Sequence, residues 1–147
     1  MRQRLGQHFL ADKKILQKIV DALEVQDGDA IIEIGPGHGE LTSVLVHKFI
    51  SSQVAMFKIV AIEKDPLLVS QFISSKVYKE HKESIEIITG DALKTLHELT
   101  YKLKRERNLI TYKLTGNLHY YLTGRLYRIV GELITNNLLP ITRDVIT

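Results

Sequence analysis

The sequence predicts an α/β fold, a parallel sheet with helices on both faces, and three observations carry that expectation. Apolar runs of strand length alternate with stretches of helical periodicity along the 147 residues, the pattern of βαβ units whose crossover helices cover a sheet. The run Ala30-Ile31-Ile32-Glu33-Ile34 leads straight into glycines at 35, 37 and 39 and then into a helical pattern. Such a turn is tight and lets the backbone approach a ligand closely. Polar residues recur directly after the later apolar runs, at Glu63, Asp91 and Asn117, where an open parallel sheet gathers its ligands.

The elements follow in order. Asp12 can cap a first helix whose Ile15, Leu16, Ile19, Val20 and Leu23 recur at one-face spacing. Gln26-Asp27-Gly28-Asp29 reads as a turn, Ala30 to Ile34 as the first strand, and the next helix carries Leu41, Val44, Leu45 and Phe49. A second strand, Ile59 to Glu63, ends at Asp65-Pro66, an N-cap followed by a proline at the first helical position. The helix it opens is expected over roughly 66–79. Ile85 to Thr89 is the third strand, closed by Gly90-Asp91. A charged helix is expected over roughly 92–105, with Lys102, Lys104, Arg105 and Arg107 on a solvated face. A fourth strand near Leu109 to Leu114 meets Thr115-Gly116-Asn117, and a last helix holds Leu122, Leu126, Ile129, Val130, Leu133 and Ile134. Ile141 to Ile146 reads as a fifth strand just beginning. Ending there would leave an uncovered sheet edge, so the sequence reads as the N-terminal part of a longer domain.

Composition excludes several chemistries. Hydrophobic residues at 44% and charged residues at 25% are ordinary for a soluble globular chain. The net charge of +3 favours a polyanionic partner only weakly. No cysteine is present, which removes disulfides, cysteine-ligated zinc and any thiolate nucleophile. The histidines at 8, 38, 47, 81, 97 and 119 form no HxxxH or HxH pair, so no metal is expected. There is no GxSxG nucleophile elbow. The opening residues lack the apolar core of a signal peptide, and no run reaches membrane-spanning length. A cytoplasmic protein with no membrane partner is the expectation.

The strand-end residues suggest a nucleoside-type cofactor. Glu63 lies 28 residues after Gly35 (63 − 35), and a carboxylate there can accept hydrogen bonds from both ribose hydroxyls; its plain alternative is a solvated acid beside Lys64. Asp91 can receive the exocyclic amine of an adenine ring, or simply cap the next helix. Asn117 can accept from a substrate amine, with a neighbouring tyrosine stacking on a purine at roughly 1–3 kcal/mol, or be a capping residue before core tyrosines.

Gln7-His8-Phe9-Leu10, Glu33-Ile34-Gly35-Pro36-Gly37, Glu63-Lys64-Asp65, Gly90-Asp91-Ala92 and Asn117-Leu118-His119-Tyr120 occur in that order. Together they resemble the ribosomal RNA adenine dimethyltransferases of the kasugamycin-resistance type, from Gln3 to Ile146. The resemblance implies a Rossmann-like S-adenosylmethionine-dependent methyltransferase fold, S-adenosylmethionine as cofactor, and adenines of small-subunit ribosomal RNA as acceptors during ribosome biogenesis. It implies that His8 and Leu10 close over the cofactor, Gly35 lines its methionine end, Glu63 holds the ribose and Asp91 the adenine, with Gly37 and Asn117 also among the cofactor-binding residues. Asn117 would orient the target amine and Tyr120 stack on a flipped-out base, since a stacked adenine cannot present its amine. It also implies a monomer, and further strands and a small helical RNA-gripping domain beyond this chain.

Two departures qualify the resemblance. His119 stands where the family usually has proline, which would stiffen the loop, so slower methyl transfer with cofactor binding less affected is expected. The family's sheet also continues past the point where this sequence stops. Rival readings are a nicotinamide-dependent dehydrogenase, which shares the glycine turn and Glu63 but would need a hydride-transfer site, and the macrolide-resistance methyltransferases of large-subunit RNA. A catalytically weak assembly factor that binds ribosomal RNA, through Arg2, Arg4, Arg125 and Arg128 among others, is a third. The lack of cysteine disfavours cytosine-carbon methyltransferases.

Overall fold

Long β-branched runs without charged alternation fit strands buried on both faces, and the first two strands of the chain are buried throughout. The computed structural model describes residues 12–96, 98–99, 112–116 and 145–146. Among them are β1 (Ala30–Ile34), β2 (Lys58–Glu63), β3 (Ile85–Thr89), β4 (Tyr112–Gly116) and β5 (Val145–Ile146). All pair in parallel, in the order β3-β2-β1-β4-β5. The order reverses direction at β1, which lies between β2 and β4. Every residue of β1 and of β2 is buried.

The described helices include α1 (Lys13–Ala22), α2 (Glu40–Ser51), α3 (Pro66–Ile73) and α4 (Lys76–His81). Ile31, Ile59 and Ile85 stand side by side across three strands. They share one core with Leu16, Ile19, Val20 and Leu23 at the α1 end, Leu41, Leu45 and Phe49 of α2, and Phe72 of α3. Phe49 stacks face to face on Phe57 with centroids 4.3 Å apart. Each fully buried aliphatic side chain contributes roughly 1.5–3 kcal/mol, so this face anchors the helices that frame the loops above it.

The sequence expectation needs correction at several points. Ile15 is 44% exposed, because Leu16, Ile19, Val20 and Leu23 already fill the stripe facing the sheet and Ile15 falls beside it. The single helix expected over 66–79 is two: the Ser75 hydroxyl donates to the Phe72 carbonyl at 2.6 Å and accepts from the Tyr78 N–H. Ser75 thereby closes α3 and caps α4. The fourth strand runs Tyr112–Gly116, so Thr115 and Gly116 belong to the strand; pairing with β1 sets this, Ala30 opposite Tyr112 and Ile34 opposite Gly116. Residues 109–111, most of the 92–105 helix beyond 92–96, the helix of residues 122–134 and residues 141–144 lie outside the described residues. Asp12 does cap α1, accepting from the Lys14 N–H, and Asp65 caps α3 with Pro66 at its start.

At the lower end of the sheet Lys113 is buried beside Asp29, with Nζ 3.2 Å from Oδ2. The same ammonium donates to the carbonyls of Leu23 and Glu24, just past the end of α1. Three acceptors thus match its three protons. Glu24 takes a positive φ of 49° there, which turns its carbonyl onto the lysine as α1 ends. Lys113→Met leaves a buried carboxylate without its cation and is expected to destabilise the fold by about 3–5 kcal/mol, read as a lower urea midpoint at pH 7.

Candidate functional site

The upper ends of β1, β2 and β3 are knitted together by their backbones. Past Ile34 the chain turns through Gly35, Gly37 and Gly39, with φ of 67°, 57° and 91°. Left-handed backbone at all three positions is open to glycine and strained for other residues. The Gly35 N–H donates to the Ile62 carbonyl at 2.9 Å, fixing the loop's root on β2. The Gly39 N–H donates back to the Pro36 carbonyl at 2.9 Å, and α2 begins at the next residue. A Cβ on Gly39 would sit 3.3 Å from the Phe72 ring, so the loop's closing turn lies directly on α3.

Glu63 is the hub of this end. Its side chain is buried, not solvated beside Lys64. Oε1 accepts from the Asp65 N–H at 3.1 Å and Oε2 from the Gly37 N–H at 3.4 Å, a long contact. Its own carbonyl accepts from the Gly90 N–H at 2.9 Å, which brings the end of β3 alongside. Asp91 follows directly and does cap the helical turn over 92–96, accepting from the Leu93 N–H through Oδ1 at 2.8 Å. Capping uses one carboxylate oxygen and leaves the group half-buried beside the loop, so capping and ligand binding are compatible at this residue.

The structure adds two features that the strand-end reading missed. Glu33, in the middle of an otherwise aliphatic strand, is 1% exposed. Its Oε2 accepts from the Thr42 hydroxyl of α2 at 2.5 Å. Burial, the largest influence, pushes its carboxyl from an ordinary 4.5 up to about 7; the Thr42 hydrogen bond opposes this, and the charges of Glu40 and Glu63 add to it. A carboxylate flanked by isoleucines was the available signal. The second feature is Gly116, level with Ile34 on the neighbouring strand. A Cβ there would lie 2.2 Å from the Ile34 carbonyl oxygen, so β4 can come this close to the root of the glycine loop only without a side chain.

Of the residues expected to form the site, Gly35, Gly37, Glu63 and Asp91 are brought together. His8, Leu10, Asn117 and Tyr120 lie outside the described residues, as do His119 and the arginines at 2, 4, 125 and 128. Among the described residues no group of three or more His, Asp or Glu could hold a metal ion. No described helix is long and apolar enough to cross a membrane.

Comparison with known proteins bears on this geometry. Residues 1–138 match the family model described as ribosomal RNA adenine dimethylase. The chain is 34% identical over 146 residues to the ribosomal RNA small subunit methyltransferase A of Synechococcus sp. (strain CC9311), covering 98% of this chain and 50% of that protein. It is 39% identical over 120 residues to the protein of the same name in Alkaliphilus metalliredigens (strain QYMF), covering 81% of this chain and 37% of that one. The chain therefore spans half or less of the length of these curated relatives. Among solved structures, that of the 23S rRNA methyltransferase ErmE superposes with a TM-score of 0.60 at 22% identity, covering 83% of this chain and 42% of ErmE; at that identity the likeness shows the fold.

The buried Glu33 carboxyl has a signed consequence for stability. Its folded value lies above its unfolded one, so its contribution is intact below about pH 4.5 and is lost as pH rises through about 7. Glu33→Gln is expected to match the parent near pH 4.5 and to exceed it in unfolding free energy at pH 8 by on the order of 3 kcal/mol, read from paired urea titrations.

Proposed function

Because the chain belongs to the ribosomal RNA adenine dimethylase family, we propose that it forms the cofactor-binding part of an S-adenosylmethionine-dependent enzyme that dimethylates adenine amines of small-subunit ribosomal RNA. The observation that carries this reading is the buried Glu63 at the end of β2, facing the glycine loop at the point where the strand order reverses. A nucleoside needs a fixed acceptor for its ribose hydroxyls and close backbone for the rest of its length. Glu63 supplies the first and residues 35–39 the second, and Asp91 brings a second carboxylate to the same end of the sheet.

S-adenosylmethionine, when bound, supplies a methyl carbon already activated by a sulfonium. The protein's share is then to bind, orient and exclude water. Glu63 would exchange its long contact with the Gly37 N–H for a ribose hydroxyl, and the half-buried Asp91 would take the adenine amine. In this reading Asn117 holds the acceptor amine and Tyr120 the flipped base, with His8 and Leu10 closing over the cofactor. The remaining strands and a small RNA-gripping helical domain would lie in the rest of the protein. The partner would be ribosomal RNA or a small-subunit precursor, met by a monomer in the cytoplasm.

The large-subunit alternative has less support. Relatives at 34% and 39% identity carry the small-subunit name. A weakly catalytic assembly factor remains a second reading because of His119 alone.

Calorimetric titration of the intact protein with S-adenosylhomocysteine tests the cofactor site. Binding is expected, weakened about tenfold or more by Glu63→Ala, as for loss of hydrogen bonds to a charged group; a folded protein that does not bind, by circular dichroism on the same sample, refutes the reading. Methyl incorporation into an unmethylated small-subunit particle tests the acceptor. His119→Pro is expected to raise the transfer rate several-fold with little change in cofactor affinity, and an unchanged rate removes the role given to that loop.

A further inference from the structure

Glu33 has no part in the proposed function, yet it is among the most buried charged side chains of the described residues. It stands two residues before Gly35 on β1, and Thr42 stands three residues after Gly39 on α2. Their hydrogen bond therefore ties the strand that enters the glycine loop to the helix that leaves it. No ion pair reaches Glu33 among the described residues. The charges that bear on it are carboxylates, Glu40 in the first turn of α2 and Glu63 on β2.

Cations of the neighbouring elements are paired with other carboxylates or exposed. On β4 the neighbour of Glu33 is Thr115, and Lys113 is held at the far end by Asp29. On β2 Lys58 pairs with Glu86 of β3 at 3.5 Å. On α2 Lys48 pairs with Asp21 of α1, and His47 is exposed; Lys13, Lys14 and Lys18 of α1 are exposed, as is His38 in the loop. The charges that bear on Glu33 are thus of its own sign, gathered behind and beside one loop. A ligand that lies on that loop and carries net positive charge would favour the ionised form of the buried acid. S-adenosylmethionine, with a sulfonium and an ammonium against one carboxylate, is such a ligand.

We infer that Glu33 is a positioning residue of the cofactor site, and that its carboxyl gives up a proton when the positively charged methyl donor binds. Ionisation strengthens the Thr42 hydrogen bond, because a charged acceptor holds a hydroxyl more tightly, and so holds the start of α2 more firmly to the strand that enters the loop. By linkage, whatever drives the proton off tightens the cofactor, and the reverse. The inference rests on the cofactor reading, since the ligand that supplies the charge is the one proposed for that site.

The test is calorimetry of S-adenosylmethionine binding to the intact protein at pH 6.5, in two buffers of different ionisation enthalpy. With the carboxyl titrating at about 7, about three-quarters of a proton should be released per cofactor bound, and affinity should rise about eightfold between pH 6 and pH 7.5. The cofactor's own ammonium titrates near 8, above this window. Glu33→Gln should abolish the release and flatten the profile. Thr42→Ser should keep both, and Thr42→Val, which removes the bond favouring ionisation, should shift the rise in affinity to higher pH. A purely structural role for Glu33 would change affinity equally at every pH. Binding by the parent without proton release, or a Glu33→Gln protein with the parent's pH profile, overturns the inference while leaving the cofactor site standing. Absence of binding by the folded protein at every pH overturns both.

Discussion

The register of one strand governs this molecule. β1 is hydrogen-bonded in parallel to β2 on one side and β4 on the other, with Ile34 opposite Ile62 and Gly116 together. Parallel pairing slants but does not drift, so fixing Ile34 also fixes where three strands stop. The Gly35 and Gly90 N–H groups then find the carbonyls of Ile62 and Glu63 within reach, and the loops after β1, β2 and β3 rise from one level. A shift of β1 by one residue would exchange Glu33 for an isoleucine on the helix face and put a carboxylate on the other side of the sheet. The apolar residues on either side of Glu33 make that shift costly.

The two ends of the sheet treat buried charge in opposite ways. At the lower end Lys113 meets Asp29 and two carbonyls, a complete set, and the result is a rigid corner joining α1, β1 and β4. At the upper end Glu33 has a hydroxyl and Glu63 has two backbone N–H groups, with no described cation for either. Buried charge with full partners holds a fold in place; buried charge without them leaves free energy for a ligand to recover. The contrast within one chain separates scaffold from site more clearly than any single residue does.

Much of this was legible in the sequence. Strand β1, the glycine loop, the Asp65-Pro66 helix start and the strand-end position of Glu63 follow from local rules of period, capping and backbone freedom, which do not need the tertiary fold. What escaped depended on contacts distant in the chain. Ser75 breaks a helix whose apolar pattern, Phe72, Ile73 and Val77, runs on without interruption; only the capture of two backbone groups by its hydroxyl ends α3. Thr115 and Gly116 look like the turn after the fourth strand until pairing with β1 sets the limits of β4. Glu33 was read as part of a glycine motif because its partner, Thr42, is an ordinary helix residue in sequence. At the candidate site Gly35, Gly37, Glu63 and Asp91 are placed together, and Asp91 proves to be a helix cap, which is compatible with the ligand role proposed for it.

The central position of β1 also bears on how the chain is made. Its partner on one side begins 28 residues later (58 − 30) and its partner on the other 82 residues later (112 − 30). As the polypeptide emerges from the N-terminal end, β1, β2 and β3 with α1 to α4 can assemble while the other edge of β1 is still open, since non-local pairing is the slow part of such folds. Without β4, Asp29 would lack its lysine and that edge of β1 its neighbour. Pairing with Tyr112–Gly116 closes that edge, brings Lys113 to Asp29 and sets Gly116 against Ile34, so a strand buried throughout in the finished fold depends on the latest of these segments for its cover.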